Sequence, residues 1–526
     1  MTKPILIIFL FFSIATSAQL TIGNVSLEFS ESIPKEQGNI MTIAGVKNDS
    51  IYTLSRAKNE FLFQTYDAKT KRLTSSKAFN ILKDYEIRDY VFVGNKRFLM
   101  LSTYNEVSNE YQFLALEVSN NEIVNNTAIQ TINVESWSRK GEFLFKLSND
   151  GSKYLVTHVQ KNYRNPSVEY TLILIDENLT KIFVDKNTIT SNEKSVWSFK
   201  FSDTKFTDKD DIAFALIESY RSKGEKNKYN QVTVFSYNAN KAYSRTQIEV
   251  ELKDNYLVDC NVVPTKDNRL HITGFFSKLN TRGKRNWEYE GIYDIVIDTS
   301  KEEVINKKFN RFAWNVRDIR DLNPDFVKNI AFIERDNGGI IVFSEYDVNL
   351  GPSTFGIWPL AWKSHLFESE FVIVTALDAD GILNWADAIP KFQSMSIDTI
   401  GIQLIPSPNY TQPSSITFPL VEMGSGEEYL SIFPIYNKGK LTVFYNDHFK
   451  STDYKVKILD GLNEMKTVAY NFEDDTGSYE HFFRHQYQKG QINLKPLINY
   501  KLSDNRYLIY GGNKKVNAFG EIIIEK

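Results

Sequence analysis

Short apolar runs with polar boundaries recur along nearly the whole chain, and this pattern predicts strands. The runs are rich in Val, Ile, Phe, Tyr and Thr, as in FLFQTY at 61–66 and LTVFY at 441–445. No long segment has the i, i+3, i+4, i+7 spacing of an amphipathic helix. Turn residues lie between the runs, as in Asn149-Asp150-Gly151, Asp336-Asn337-Gly338-Gly339 and Asp380-Gly381. The pattern therefore predicts an all-β protein with tight hairpins.

The runs are organised in a repeating unit of about 45–60 residues, a period typical of repeat folds. Each unit has an apolar strand, a short polar turn, a second strand, a longer loop and a third strand that ends near Asp or Tyr. The units begin near Ile40, Glu86, Glu142, Trp197, Asp259, Val327, Glu428 and Ile492.

Units of four short strands at this period predict a β-propeller, because sheets stacked around a ring bury each face against a neighbour. We expect one propeller of seven or eight four-stranded blades over residues 19–526. Two β-sandwich domains are the alternative, and they would require a linker that is not evident in the sequence.

The two ends of the chain predict how the ring closes. The last unit supplies only three strands, at 494–500, 506–510 and 519–524. Residues 19–29 form a single alternating strand, QLTIGNVSLEF. We expect this strand to pair with the last unit, complete the final blade and close the ring.

The first 18 residues have the pattern of a secretory signal peptide. Lys3 precedes the apolar run 4–14, and Thr16-Ser17-Ala18 offers small residues before Gln19. The run is shorter than the roughly 20 residues that cross a bilayer, and no later stretch approaches that length. We therefore expect an exported protein of the periplasm or exterior of a bacterium, with no transmembrane segment in the mature chain 19–526.

Composition excludes several classes of protein. The chain has 62 Lys and Arg against 65 Asp and Glu, a balance that argues against binding of nucleic acid. Cys260 is the only cysteine, so neither a disulfide nor a cysteine-based zinc site can form within the chain. It lies in an apolar run and is predicted to be buried. An exported chain without disulfides must obtain its stability from a large core.

Two short segments resemble repeats of known propellers. Residues 376–385, ALDADGILNW, resemble the outer strands of the quinoprotein-type repeat, and residues 148–155, SNDGSKYL, are similar to the turn of WD40-like repeats in periplasmic propeller proteins. The resemblance implies a secreted bacterial β-propeller of unknown function. It brings no quinone-binding residues, and no cofactor is expected.

Polar residues at the ends of two apolar strands are the candidate catalytic groups. Glu345 follows the strand 340–344, and Asp447 and His448 follow the strand 441–445 one unit later. Equivalent places on adjacent blades would bring the carboxylates to one face, where a separation of about 5–9 Å suits glycosidase chemistry. Capping of local turns is the alternative role. No Gly-x-Ser-x-Gly motif supports a serine hydrolase.

His481 and His485 are the candidate metal ligands, because two histidines four residues apart share one face of a helix. The segment lacks the internal Glu of the HExxH pattern. We therefore expect an aromatic surface loop there, without a metal.

The sixth unit contains two long insertions, at about 350–370 and 391–427, which are predicted to be loops. The first holds the candidate binding residues Phe355, Trp358, Trp362, His365 and Phe367. If these aromatic side chains are exposed, they suit contact with a protein or a glycan. The alternative is that they fold back onto the propeller and cap it.

The sequence thus favours an exported, non-catalytic binding or scaffold propeller that contacts a protein or glycan through its loop face. A carbohydrate-active enzyme, either a glycosidase or a lyase with carboxylates at the propeller mouth, is the alternative.

Overall fold

A computed structural model describes residues 19–525, except 23, 58–59, 82–83, 163–166, 191–193, 223–228, 254, 279–288, 314–315, 317–326, 356–361, 401–426, 453–454 and 483–489. Antiparallel strands dominate the described part. Short 3-10 helices lie at Lys35–Gln37, Trp137–Arg139, Ala239–Lys241 and Glu427–Tyr429.

The strands form eight sheets that follow one another along the chain, so the protein is an eight-bladed β-propeller. The first three strands are β1 (Gln19–Ile22), β2 (Val25–Phe29) and β3 (Ile33–Pro34). Blade one contains β4 (Asn39–Lys47), β5 (Ser50–Ala57), β6 (Glu60–Asp67) and β7 (Leu73–Phe79). Blade two contains β8 (Tyr85–Val93), β9 (Lys96–Asn105), β10 (Glu110–Ser119) and β11 (Glu122–Asn133).

The next three blades repeat this order. Blade three contains β12 (Glu142–Leu147), β13 (Tyr154–Asn162), β14 (Ser167–Ile175) and β15 (Lys181–Thr190). Blade four contains β16 (Lys194–Phe201), β17 (Lys205–Phe206), β18 (Ile212–Ser222), β19 (Tyr229–Asn238) and β20 (Ser244–Lys253). Blade five contains β21 (Asn255–Leu257), β22 (Asn261–Pro264), β23 (Arg269–Lys278), β24 (Gly291–Asp298) and β25 (Glu303–Arg311).

The last three blades complete the ring. Blade six contains β26 (Val327–Glu334), β27 (Ile340–Phe355), β28 (Trp362–Leu377), β29 (Leu383–Ile389) and β30 (Gln393–Ile400). Blade seven contains β31 (Ile432–Asn437), β32 (Lys440–His448), β33 (Met465–Glu473) and β34 (Tyr479–Phe482). Blade eight contains β35 (Asn493–Ser503), β36 (Arg506–Gly512) and β37 (Val516–Ile524), and it also takes up β1, β2 and β3. The predicted unit starts therefore fall at or near the first strands of the eight blades.

The N-terminal segment closes the ring, as predicted. β2 pairs antiparallel with β37, with Leu27 opposite Ile522. It thereby supplies the fourth strand of blade eight, and Val25, Leu27 and Phe29 are buried there. The prediction of one continuous strand over 19–29 was wrong in detail, because β1 turns back and pairs with β2 as a hairpin.

The apolar core is divided among the interfaces between blades. One cluster of buried residues lies between each pair of consecutive blades. The cluster between blades eight and one closes the circle, where the rings of Tyr66 and Phe519 meet edge to face at 4.9 Å between centroids. Cys260 is buried in the cluster between blades four and five, as its apolar surroundings predicted. Aromatic side chains thus stabilise the ring by packing one blade on the next.

In four blades an aspartate at the end of the third strand, or directly after it, closes the following turn. In each case one carboxylate oxygen accepts two backbone N–H groups of the next few residues, a typical Asx arrangement. The four residues are Asp67, Asp176, Asp298 and Asp378. The glycines of the predicted turns, Gly151, Gly338 and Gly381, have positive φ, which these tight hairpins require.

The connections differ strongly between the two faces of the ring. On one face, here called the turn face, six residues or fewer join the first strand of each blade to the second, with β17 interrupting this connection in blade four. The same face joins the third strand to the fourth in blades one to seven, again through six residues or fewer. The opposite face, here called the loop-bearing face, carries the connections between second and third strands and between blades. Its longest connections all belong to blades five to eight: 279–290, 312–326, 401–431, 449–464 and 483–492.

The segment 350–370, expected to be a loop, lies mainly in strands. β27 and β28 have 16 residues each, whereas the second strands of the other blades have 7 to 11. The two strands pair out to Phe355 and Trp362. β30 adds a third strand beside the outer half of β28, so residues 393–400 of the second expected loop are also a strand. Blade six therefore extends from the loop-bearing face as a three-stranded ribbon.

Candidate functional site

Glu345 lies within β27, because the strand continues to Phe355, so the prediction that it follows the end of a strand was wrong. The Glu345 carboxylate is buried. Its side chain forms an ion pair with Lys391. The hydroxyls of Ser369 and Ser431 donate hydrogen bonds to its two oxygens, at 2.7 and 3.0 Å. Only 3% of Glu345 is exposed. The ammonium group of Lys391 therefore neutralises the charge of the carboxylate, and both carboxylate oxygens accept hydrogen bonds. Because Ser431 directly precedes β31, these contacts connect blade six to blade seven.

Asp447 lies on the same face of blade seven, at the end of β32, and is 0% exposed. One oxygen accepts hydrogen bonds from the backbone N–H of His448 and the hydroxyl of Ser451, at 2.7 and 2.9 Å. Burial raises the pKa of Asp447 to about 6, against the opposing hydrogen bonds and the nearby ammonium groups of Lys466 and Lys391. Capping of the local turn, the alternative to a catalytic role, fits these contacts.

His448 is also buried, and both ring nitrogens have neighbours. Nδ1 accepts the backbone N–H of Lys450 at 2.9 Å, and Nε2 lies 3.4 Å from a carboxylate oxygen of Glu464. These contacts connect the two ends of the 449–464 connection.

A chain of buried polar groups runs from Glu345 to Asn446, the residue before Asp447. Lys391 donates to Gln393 Oε1 at 2.9 Å, and Gln393 Nε2 donates to the backbone carbonyl of Asn446 at 2.7 Å. Asn446 Nδ2 in turn donates to the carbonyl of Leu494 in blade eight, at 2.7 Å. The structure thus brings the candidate residues to one edge of adjacent blades, as expected, but inside a buried network. This burial does not favour them as a pair of reacting carboxylates.

The other sequence candidates are only partly within the described residues. Phe355, Trp362 and Phe367 lie at paired positions between β27 and β28, and His365 of β28 pairs with Ile397 of β30. Trp358 lies outside the described residues. His481 belongs to β34, where it pairs with Tyr470, so the prediction of a loop was wrong at this residue. His485 lies outside the described residues. No group of three His, Cys, Asp or Glu side chains in the described part of the chain is arranged to hold a metal ion.

A second polar group, the mouth cluster, lies where the inner strands of blades two and three begin on the loop-bearing face. Its members are Glu86, Arg88, Tyr111, Trp137, Lys140, Glu142 and Lys161. Glu86 and Glu142 are at or next to the first residues of β8 and β12. These strands are innermost in their sheets, because the opposite edge strands β11 and β15 carry the exposed side chains. The cluster therefore borders the central opening of the ring.

Direct contacts hold the mouth cluster together. Arg88 pairs with Glu86 and donates to the Tyr111 hydroxyl at 2.8 Å. The Lys140 ammonium lies 3.7 Å from the Glu86 carboxylate. The same ammonium lies over two rings, 4.5 Å from the centroid of Tyr111 and 5.2 Å from that of Trp137.

The charged groups of the mouth cluster are partly desolvated. Burial raises the pKa of Glu142, although Lys161, Arg88 and Lys140 act in the opposite direction, and the residue still reaches solvent. Burial lowers the pKa of Lys161 to about 8 despite nearby Glu142. For Arg88, burial acts to lower the pKa, but Tyr111 and Glu86 outweigh it and raise the pKa. Charged groups in such a setting interact more strongly with a ligand than they would on an open surface.

Sequence reasoning used Glu86 and Glu142 only to mark where units begin and did not identify the cluster. The available signal was a charged residue at the start of an apolar inner strand in two consecutive units. Arg88, Tyr111 and Lys161 come from other positions in their strands, so their proximity depends on the arrangement of the blades.

Comparisons with known proteins do not place this chain in a family. No family description matches the sequence, and no curated protein matches it. The Dos1 propeller is similar in structure, with a TM-score of 0.37, 10% identity and 94% of each chain covered. Prolyl oligopeptidase B from Galerina marginata, solved with a 35mer substrate, has a TM-score of 0.37 at 8% identity over 92% of this chain and 55% of that one.

Hydrazine synthase from Kuenenia stuttgartiensis matches 60% of this chain and 78% of its own, with a TM-score of 0.29 and 14% identity. Similarities at these levels carry no conclusion about function. Within the described residues, no helix is long and apolar enough to span a membrane.

Proposed function

We propose that this protein is an exported, non-catalytic binding or scaffold propeller that contacts a protein or glycan through its loop-bearing face. The observation that carries the proposal is the asymmetry of the two faces. Every connection on the turn face has six residues or fewer, whereas the loop-bearing face carries five connections of ten residues or more and the ribbon of β27, β28 and β30. Long connections on a rigid ring of blades commonly carry recognition.

Export is part of the proposal and rests on the sequence. The signal-peptide pattern of residues 1–18 supports it, and Cys260 is buried, so no exposed thiol in the described part requires a reducing compartment. Detection of the chain in the periplasmic or culture fraction of a bacterial host, with cleavage after Ala18, would support export. Retention of an uncleaved chain in the cytoplasm would contradict it.

The alternative of a carbohydrate-active enzyme relied on Glu345 and Asp447. Both are buried, and Glu345 is engaged by Lys391 and two serine hydroxyls. A glycosidase needs carboxylates that reach the scissile bond. The geometry therefore supports binding better than hydrolysis by these two residues.

A binding array tests the proposal. The chain would be applied to printed glycans and peptides, alongside the double variant Trp358→Ala/Trp362→Ala and the control variant Ile182→Ala. Ile182 is an apolar residue on the outer strand β15, away from the loop-bearing face, and is 46% exposed.

The proposal predicts binding by the parent chain and the control, and loss of binding in the double variant with an unchanged melting temperature. Full binding by the double variant would contradict a contact role for these aromatics. A large fall in its melting temperature would instead indicate that they cap the ring.

A further inference from the structure

The mouth cluster has the chemistry of a ligand site that is separate from the ribbon of blade six. We propose that it binds an acidic saccharide, with a pyranose ring on Trp137 and a carboxylate group at Lys140 and Lys161. The inference rests on the proposed function of the loop-bearing face and names a ligand class for one part of it.

Trp137 provides an apolar platform. Its side chain belongs to the 134–141 connection between blades two and three, and the residue is 46% exposed. An aromatic ring that is half open to solvent beside polar groups offers one apolar face to a ligand at a low entropic cost. The CH groups on one side of a pyranose ring fit such a face.

The cations of the cluster favour a negative ligand. Arg88, Lys140 and Lys161 outnumber the carboxylates of Glu86 and Glu142. Arg88 is engaged by Glu86, Tyr111 and Ser102. Lys161 donates to the backbone carbonyl of Phe199 at 3.0 Å, which occupies one of its three N–H donors. A ligand carboxylate would supply a charge-assisted acceptor and would oppose the effect of burial that lowers the pKa of Lys161.

The carboxylates explain why a saccharide fits better than an acidic peptide. Glu86 and Glu142 are acceptors, and the hydroxyls of a sugar are donors that can satisfy them. A run of acidic side chains would instead be repelled by both groups. A single carboxylate on a ring with several hydroxyls, as in a uronic acid, complements both parts of the cluster.

The connections near the cluster are short. Those at 80–84, 106–109, 134–141, 163–166 and 191–193 have eight residues or fewer, whereas the connections of ten residues or more belong to blades five to eight. Trp137 is 46% exposed, so a ligand in solvent can reach its ring.

Titration calorimetry with a galacturonate oligomer, and with a neutral glucose oligomer of equal length, tests the inference. The variants are Trp137→Ala, which removes the platform, and Lys161→Met, which removes the charge and keeps the apolar stem. Their controls are Ile182→Ala, of equal 46% exposure on an outer strand, and Lys301→Met, a 66% exposed lysine on the turn face. Melting temperatures of all variants would show that each is folded.

The inference predicts that the galacturonate oligomer binds, that the neutral oligomer binds much more weakly, and that Trp137→Ala and Lys161→Met each weaken binding about tenfold or more. Binding should also weaken with added salt in the parent chain, and less so in Lys161→Met. The two controls should bind like the parent.

Three results would overturn it: no binding of galacturonate, equal binding of the neutral oligomer, or binding that survives both substitutions. The array separates this inference from the proposed function. If the galacturonate oligomer does not bind, but the array finds a ligand that the Trp358→Ala/Trp362→Ala variant no longer binds, the proposed mouth site is wrong and the proposed function stands.

Discussion

Trp385 of blade six donates its indole N–H to the backbone carbonyl of Asp474 in blade seven, at 2.6 Å. Its ring also stacks on Phe472 of blade seven, with 5.5 Å between centroids and 10° between planes. Trp385 ends the segment that resembles the quinoprotein-type repeat. In this chain, Trp385 connects blade six to blade seven through this hydrogen bond and this ring contact.

Substitution of Gly477 tests how closely the Trp385 ring packs against the turn that contains Gly477. Gly477 has a φ of +67°, and a Cβ there would lie 2.7 Å from the Trp385 ring. Gly477→Ala should therefore destabilise the protein both by the strained backbone and by displacement of the ring. The expected loss is on the order of 2–4 kcal/mol in the free energy of unfolding, measured by chemical denaturation.

Gly439→Ala is the matched control, because Gly439 has a φ of +74° and nothing within 4 Å of a Cβ. It should show only the backbone cost, about 1 kcal/mol. Equal losses at the two positions would contradict close packing of Trp385 against this turn.

Arg335 and Asp474 form a buried ion pair between the same two blades, with 2.8 Å between Nε and Oδ1. Arg335 also donates to the carbonyl of Leu377 at 2.8 Å, and the Tyr436 hydroxyl donates to Asp474 at 2.9 Å. Arg335→Met would leave a buried carboxylate without its cation. We expect a loss of about 3–5 kcal/mol in the free energy of unfolding.

Lys440→Met provides the comparison for this pair. Lys440 lies 3.4 Å from Glu473, and both side chains are more than half exposed, so its loss should cost less than about 1 kcal/mol. The Arg335→Met/Asp474→Leu double variant should recover part of the loss. A double variant less stable than the single one would refute the unpaired-charge explanation.

Because β2 closes the ring of blades, the thermal stability of the protein should depend strongly on this strand. A chain that lacks residues 1–30 loses the burial of Val25, Leu27 and Phe29 against blade eight. Burial of three such side chains contributes on the order of 5 kcal/mol, so the melting temperature should fall strongly. A chain that lacks residues 1–22 keeps β2 and should melt close to one that lacks residues 1–18. Similar melting of the 1–30 truncation would contradict closure by this strand.

Asp89 predicts a pH dependence of stability. Burial raises its pKa to about 6, against a hydrogen bond from the Tyr154 hydroxyl at 3.0 Å. An aspartate has a pKa near 3.9 in the unfolded chain, so between about pH 4 and 6 the folded state binds the proton more tightly. The contribution of Asp89 to stability is therefore largest at low pH and decreases as pH rises through about 6.

Urea unfolding of the parent and of Asp89→Asn at pH 5 and pH 7.5 measures this effect. Relative to the variant, the parent should lose about 1.4 kcal/mol between the two pH values. A difference that does not change with pH, or that changes in the opposite direction, would be inconsistent with a raised pKa.

The repeat and its closure were predictable because both depend on local patterns. Apolar inner strands, turn chemistry such as Asn149-Asp150-Gly151 and the incomplete last unit are all visible in the sequence. The ribbon of blade six was missed because Gly351 and Pro352 are typical loop residues. In the structure they fall in a register shift between Leu350 and Ser353, and the pairing of β27 with β28 resumes beyond it.

The site was less predictable than the fold. Glu345 and Asp447 lie on one edge of adjacent blades, as expected, but the burial of Glu345 depends on Lys391 and Ser431, which lie far from it in the sequence. Trp137 and Glu142 come together with Arg88 only through the contact of blades two and three. Such long-range proximity has no local sequence signal.

The central claim is that ligands bind the loop-bearing face, and site-directed blocking tests it most directly. Because Cys260 is buried and burial raises the pKa of its thiol, an introduced cysteine can be labelled selectively. Ile458→Cys, at a 48% exposed position in the 449–464 connection beside the base of the ribbon, would carry a bulky polyethylene glycol group on the loop-bearing face. Lys301→Cys would carry the same group on the turn face. Binding of the glycan or peptide found on the array should be lost only with the label at position 458, and binding that survives this label, or is lost only with the label at position 301, would contradict the claim.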